Sequence, residues 1–426
     1  MLRILALCWL CLTAFAVIGQ ERPVLQTDEA VAAWREDLIT LAERMEAAHP
    51  NLYWRYPPEQ FQAVFAALDA ELPYLTDLQI QLGLIRIGAL IDGHSGVPPF
   101  QDALGYHLFP LQLYLFPEGL YVIDADEAYT EYIGARVVQI GGVSTDEALT
   151  RITPLVNRDN QHSLDFGLPF FAIMPEVLYG LGISPALDQP GYVLELPDGE
   201  QVTLNPSMQT FDEYTAWHPT NFAIGLRPRE APISLQHTDE NFWYTYLEDS
   251  HTLYVQYNNA YFQTASGISI MRFADDVEAF LDQTTPERVV LDLRFNLGGD
   301  INTYRRLLTL FATHPTINRP GRFFIIIGRY TFSAGVVFLT ELEQQTDAML
   351  YVGEPTGDST RIYASSRPIR LPNSGIEVYV SSSDDSRTTP DDQREWIAPD
   401  IPVAWSAADF FAGRDAALEA ILGYEG

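Results

Sequence analysis

The sequence predicts an α/β protein in three regions: a helical N-terminal part, a β-rich middle and a C-terminal α/β core. Three observations carry this. Helical periodicity fills 24–100, short β-rich runs punctuated by Gly fill 106–206, and strands alternate with helices over 237–412. Strand and helix alternating at that spacing make right-handed crossovers and a mostly parallel sheet. With 426 residues, 47% of them apolar, the chain has material for large cores, and global disorder is excluded.

Residues 1–19 read as a signal peptide. Arg3 precedes an apolar run from Ile4 to Ile18, with small residues at Ala14, Ala16 and Gly19. The run falls short of the roughly 20 residues a membrane span needs, and no later stretch reaches that length. The mature chain is therefore expected to begin near Val17 or Gln20, to be secreted or periplasmic, and to lack Cys. Cys8 and Cys11 both lie in the leader, which removes disulfides, thiol nucleophiles and thiolate metal sites.

The first helix carries Trp34, Leu38, Leu41 and Met45 on one stripe and stops at Pro50. The second carries Phe61, Val64, Phe65 and Leu68 behind Pro57-Pro58. An apolar third helix, DLQIQLGLIRIGALI, delivers the loop Asp92-Gly93-His94-Ser95-Gly96. The middle region offers strands LQLYLF, GLYVIDA, ARVVQIGG and YVLELPDGEQVTL, the last turning at Asp198-Gly199, and a helix over Thr145–Leu155. It reads most simply as a binding or regulatory module. In the last region TLYVQY, ERVVLDLR, RFFIIIG and MLYVG are strands. MRFADDVEAFLDQ, INTYRRLLTLFA and SAGVVFLTELEQQT are helices, IRLPNSGIEVYV is a hairpin, and SSSDDS at 381–386 is a mobile loop.

All 25 basic residues are Arg; against 57 acidic residues they leave a net charge of −32. That balance offers no basic footprint for nucleic acid or an anionic membrane. The absence of Lys excludes a Lys base, Schiff base or phosphate clamp. The eight His form no H-x-H or H-x-x-x-H pair, so no metal centre is expected, and nothing implies a cofactor.

Three loops carry candidate chemistry. The first, Asp292 to Gly299, leaves a buried strand, and its paired Gly298 and Gly299 suit an oxyanion or a plain strand-to-helix turn. In the second, Ser333 stands before an apolar helix, where a serine is either a cap or a nucleophile; the G-x-S-x-G elbow is absent. The third holds His94 between glycines, as a turn residue or a base.

VVLDLRFNLGG at 289–299, TFSAG at 331–335, VGEPTG at 352–357 and WIAPDIPV at 396–403 together resemble the C-terminal-processing serine peptidases of family S41. ALIDGHSG at 89–96 is similar to the loop of their His-bearing members, and EGLYVIDA with IGARVVQIGGVSTDEAL at 118–149 resembles their PDZ-like module. The resemblance implies a crotonase-like (ClpP/crotonase) α/β core with a PDZ-like β module and an N-terminal helical domain. Many members use a Ser-Lys dyad; 25 residues after Ser333 this chain has Asp358 instead. What remains is the branch resembling the tricorn type, with His94 as base for Ser333.

A carboxylate should hold the imidazole in one tautomer. Glu354, in the VGEPTG turn and nearer in sequence to Ser333, is favoured. The position matching the tricorn-type Glu is Gln393, with Asp391, Asp392 and Glu395 as substitutes, and Ser95 and Asp358 are possible auxiliaries. The oxyanion would rest on the backbone of Gly298, Gly299 and Ala334. Arg294 and Arg329 are available for a substrate C-terminus, though internal ion pairs explain them equally well. The implied function is a secreted serine endopeptidase acting on a peptide or protein substrate without metal or cofactor; the alternative is a non-catalytic, ligand- or peptide-binding homologue.

Overall fold

The computed structural model describes residues 23–218 and 231–425; the leader expected over 1–19, with its cleavage points and both Cys, lies outside them. Helices α1 (Asp28–Ala48), α2 (Pro58–Glu71) and α3 (Asp77–Gly88) come first, α1 capped by Thr27 and α3 by a Thr76/Gln79 capping box. Strands β1 (Leu111–Phe116), β2 (Gly119–Ala125), β3 (Arg136–Ile140) and β4 (Val143–Ser144) lead into α4 (Thr145–Ile152), α5 (Gln161–Phe171) and α6 (Pro175–Gly180). Strands β5 (Tyr192–Glu195) and β6 (Gln201–Leu204) then close an antiparallel sheet of order β1-β2-β3-β5-β6, with β4 on β3. Helix α7 (Phe211–Trp217) follows.

The second sheet holds β7 (Phe242–Leu247), β8 (Thr252–Tyr257), β9 (Arg288–Asp292), β10 (Phe323–Ile327), β11 (Met349–Gly353) and a short terminal strand, Ile401–Pro402. All pair in parallel except β7, which lies antiparallel on the edge. Between them run α8 (Ile270–Gln283), α9 (Arg305–Thr313) and α10 (Ala334–Glu343). Along β8 to β10 alternate residues enter two cores. Leu253, Val289, Leu291, Phe323 and Ile325 meet the layer of α8 to α10, while Tyr254, Val290, Phe324 and Ile326 meet Ala417, Leu418 and Ile421. Burial on both faces is what a parallel strand's continuous apolar run encodes.

The hairpin Arg367–Arg370/Glu377–Val380 leaves this sheet and buries Ile369, Val378 and Val380 in one core with the N-terminal helices and the antiparallel sheet. Tyr379 exchanges both backbone hydrogen bonds with Gly96 (2.9 and 2.8 Å), so the hairpin holds the loop carrying His94.

Two local expectations are corrected. The helix expected from Ile301 begins only at Arg305, because Asp300 takes the Asn302 and Thr303 amides into a turn. The expected mobile loop at 381–386 is ordered, Ser383–Asp384 pairing with Tyr363–Ala364.

Candidate active site

Ser333 ends the turn from β10 to α10 with φ 51° and ψ −126°. Among the described non-Gly residues only His251 and Ser365 also have a positive φ, and Ser333, unlike His251, lies outside the left-handed helical region, a strained conformation. Its side chain makes no capping bond, although Thr27, Thr76, Ser144, Asn160, Thr210, Ser269 and Ser406 all cap their helices through theirs. The cap reading of Ser333 therefore fails on geometry. The strand-to-helix turn has the form of a nucleophile elbow without its G-x-S-x-G signature. Asn296 ties the two glycine-bearing loops together: its carbonyl accepts from Phe332 N (2.9 Å), its Oδ1 from Gly298 N (2.9 Å), and its Nδ2 donates to Tyr257 O (2.8 Å).

Gly298, at φ 104°, lies so close to Ser333 that a Cβ there would stand 2.5 Å from Ser333 Cβ and 2.9 Å from Ala334 N. Of the three candidate oxyanion amides, Gly298 N is bonded to Asn296, whereas Gly299 N and Ala334 N have no acceptor among the described residues.

His94 sits in a loop built on Asp92. Asp92 Oδ1 accepts from His94 N (2.8 Å), Ser95 N (2.6 Å) and Ser381 Oγ (3.1 Å), and its Oδ2 meets His49 Nε2 at 2.8 Å in full burial. His49 Nδ1 accepts the Asn51 amide at 3.0 Å, which leaves Nε2 to donate to Asp92. The His94 ring stacks on Phe332 with centroids 4.6 Å apart. Neither ring nitrogen is hydrogen-bonded; Nδ1 lies 4.0 Å from Asp159 Oδ2 and Nε2 lies 4.0 Å from Asp358 Oδ2.

Asp358 is fully buried. Its Oδ2 accepts the Ser333 amide (2.9 Å) and its Oδ1 the Ser359 amide (2.9 Å). Burial, with Asp159 as neighbour and hydrogen-bond partner, pushes its carboxyl well above the usual range; Asp159 is raised too, by burial and by Asp92. Both carboxyls are thus held above their ordinary range, Asp358 well above it. Asp159 precedes the Asn160 cap of α5, and Asn160 Nδ2 binds Thr356 O (3.1 Å) and Glu395 O (2.8 Å), docking this loop on the one that carries Asp358.

The other candidates stand elsewhere. Glu354 faces Arg329 in a bidentate pair (2.9 and 3.2 Å), and Arg329 also donates to Leu115 O and lies over the Tyr114 ring. Arg294 is held by Asp292 and Asp415. Ser95 Oγ is engaged with Ser381. Gln393 and Asp391 are exposed, and Asp392 binds Arg394 and Thr388. The sequence reading missed Asp159, the Phe332 platform and the His49–Asp92 pair. Only the 25-residue spacing had pointed to Asp358.

Two clefts lie near the site, and His94 lines one of them. One, of about 470 Å³, is apolar, with Val97, Pro98, Phe166 and Phe170 beside His94. The other, of about 660 Å³, is polar and has Asp159 in its wall. His94, Asp159 and Asp358 are the one group of described residues whose ligand atoms, all within 4.8 Å of one another, could surround a cation. No helix among the described residues is long and apolar enough to cross a membrane.

No protein-family model and no curated protein sequence matches the chain. Solved structures match its fold. Mature CPAF complexed with lactacystin is 13% identical, with 92% of this chain and 97% of that chain covered and a TM-score of 0.66. Mature CPAF is 12% identical (94% and 99% covered, TM-score 0.65), and a CPAF serine-to-alanine mutant is 11% identical (94% and 99%, 0.66). The chain has this protease-type fold across its helical, antiparallel and α/β regions alike. The expectation of a crotonase-like (ClpP/crotonase) core is thereby corrected. That expectation came from the family resemblance, and short motifs at strand ends do not fix which of the many folds with a parallel sheet and crossover helices carries them.

Proposed function

We propose that the chain is a serine endopeptidase, exported through its N-terminal leader and related to the His-bearing, tricorn-like branch of family S41, with 118–149 part of a PDZ-like module. The single observation that carries this reading is Ser333 itself: a strained serine at a helix start, free of any capping bond, whose amide donates to the Asp358 oxygen that lies 4.0 Å from His94 Nε2.

In this reading the Asp159 carboxylate keeps the His94 proton on Nδ1 and leaves Nε2 free as base. His94 takes the Ser333 hydroxyl proton as Oγ attacks the peptide carbonyl. Gly299 N and Ala334 N then donate to the oxyanion, and His94 returns the proton to the leaving amine. The acyl-enzyme is hydrolysed by water along the reverse path. The 4.0 Å separations suit a free enzyme, whose catalytic hydrogen bonds tighten when substrate binds. The apolar cleft beside His94 takes an apolar side chain of the substrate.

A fluorophosphonate probe followed by peptide mass mapping tests this. Ser333 should be the labelled residue, and labelling should collapse in His94→Ala. Label found elsewhere, or none on a folded chain, would favour a non-catalytic binding homologue.

A further inference from the structure

The polar cleft has an electrostatic feature that the serine chemistry does not use. Arg55 and Arg158, both half-buried, lie side by side in its wall together with Trp54, Asp159, Ser359 and Gln393. The chain carries more than twice as many acidic as basic residues, yet neither arginine has a carboxylate within ion-pair distance among the described residues. Arg361 and Arg394, which also line the cleft, are paired with Asp384, and with Glu343 and Asp392.

The two guanidiniums are held in place by neutral groups. Arg55 donates to Arg158 O and lies 5.6 and 5.5 Å from the Trp54 and Tyr56 ring centroids. Arg158 Nη1 donates to Thr153 O (3.0 Å) and Val156 O (2.9 Å). Exposed arginines are solvated by water and need no partner. Two half-buried ones held together repel each other, and burial lowers the Arg158 pKa. A bound anion relieves both costs.

We propose that Arg55 and Arg158 form a subsite that takes an acidic side chain of the peptide substrate. Guanidinium forks match a carboxylate in plane and charge. Asp159, whose carboxyl oxygen lies 4.0 Å from His94 Nδ1, stands in the wall of this cleft and places the pair on the side of the proposed site. The cleft's volume is that of several residues, far more than a chain terminus needs, which favours a side chain of a continuing peptide over a terminal carboxylate. The inference rests on the peptidase reading for the identity of the ligand, but its test does not require turnover.

Fluorescein-labelled decapeptide pairs, identical except for Glu or Gln at one scanned position, are titrated against the full chain carrying Ser333→Ala. At one or two positions the Glu peptide should bind about tenfold tighter, the worth of one charge-assisted contact. That ratio should fall to about one on adding Arg55→Gln or Arg158→Gln. Should Arg158→Gln fail to fold, Arg55→Gln carries the test. Equal binding of Glu and Gln peptides at every position, or a preference that survives both substitutions, would overturn the subsite. A preference that disappears when the C-terminus is amidated would overturn the side-chain assignment. Loss of fluorophosphonate labelling and cleavage in the unsubstituted chain, with the binding ratio intact, would instead end the peptidase reading and leave the subsite standing.

Discussion

Asp358 Oδ2 accepts the Ser333 amide at 2.9 Å, and the two residues are 25 apart in the chain. The resemblance to the Ser-Lys peptidases puts their lysine at this position. A lysine there would supply a base. Asp358 instead anchors the strained Ser333 backbone, and the proposed base, His94, stands on another loop 4.0 Å from both Asp358 and Asp159.

Ser333→Ala should abolish peptide cleavage, by orders of magnitude in kcat/KM, with little change in thermal stability. The wild-type side chain makes no cap bond, so alanine removes none. Ser269→Ala is the control: Ser269 caps α8 through the Arg272 amide, and its loss should cost about 1 kcal/mol without touching turnover. Thermal unfolding beside kcat/KM of both variants checks the pair. Destabilisation of equal size in both would restore the capping role to Ser333.

Asp159→Asn should be more damaging to activity than Asp358→Asn. In the proposed mechanism Asp159 faces the His94 ring nitrogen that must keep its proton, whereas burial raises the Asp358 carboxyl well above its ordinary range, and asparagine keeps an acceptor for one of the two amides that Asp358 binds. We expect a loss of roughly 100-fold or more for Asp159→Asn and a smaller one for Asp358→Asn. Single-turnover acylation rates rank them; the opposite order would move the charge to Asp358.

The strands of the α/β region were legible because their apolar runs are continuous and their bounds fall at Gly and at charged turns. Ser333, His94 and the paired glycines were legible because each breaks a local pattern. Asp159 was not: it directly precedes Asn160, and the Asn160-x-x-Ser163 capping box explains the polarity of that turn without it. Glu354 was favoured over Asp358 because sequence distance does not show direction. Glu354 leaves the end of β11 toward Arg329, while the chain turns back within four residues and sets Asp358 under Ser333. The crotonase-like label failed because it was carried over with the motif resemblance, while the mostly parallel sheet read from the crossover strands is present.

The proton shared by the carboxyl pair should appear in the pH dependence of stability. Unfolded, Asp358 ionises near the usual value of about 3.9. Folded, burial beside Asp159 keeps it protonated far above that value. The folded state thus binds more protons through this window, and the contribution, fully present below about pH 4, is lost as pH rises through the raised folded value. Asp358→Asn has no such proton to lose. Its stability relative to wild type should climb from about pH 4 to pH 8 in urea midpoints. A constant difference between the two proteins across that range would mean that Asp358 ionises normally in the fold.

Gly298→Ala should remove activity through shape alone. At φ 104° an L side chain is strained, and the new Cβ would stand 2.5 Å from Ser333 Cβ and 2.9 Å from Ala334 N. Something must shift, and what lies there is the nucleophile and one of the two unpaired amides proposed for the oxyanion. The strain should cost on the order of 1–3 kcal/mol of stability. Turnover should fall much further than stability, since about 1 Å of misplacement at a reacting centre costs around 100-fold. Gly375→Ala separates the two effects, because Gly375 has a similar positive φ of 70° in the hairpin turn and its new Cβ would meet only Arg370 Nη2 at 3.7 Å. Both variants should lose comparable stability by denaturant unfolding, and only Gly298→Ala should lose fluorophosphonate labelling of Ser333. If Gly298→Ala labels at the wild-type rate, the glycine loop does not border the reacting atoms, and the oxyanion donors must be sought elsewhere around Ser333.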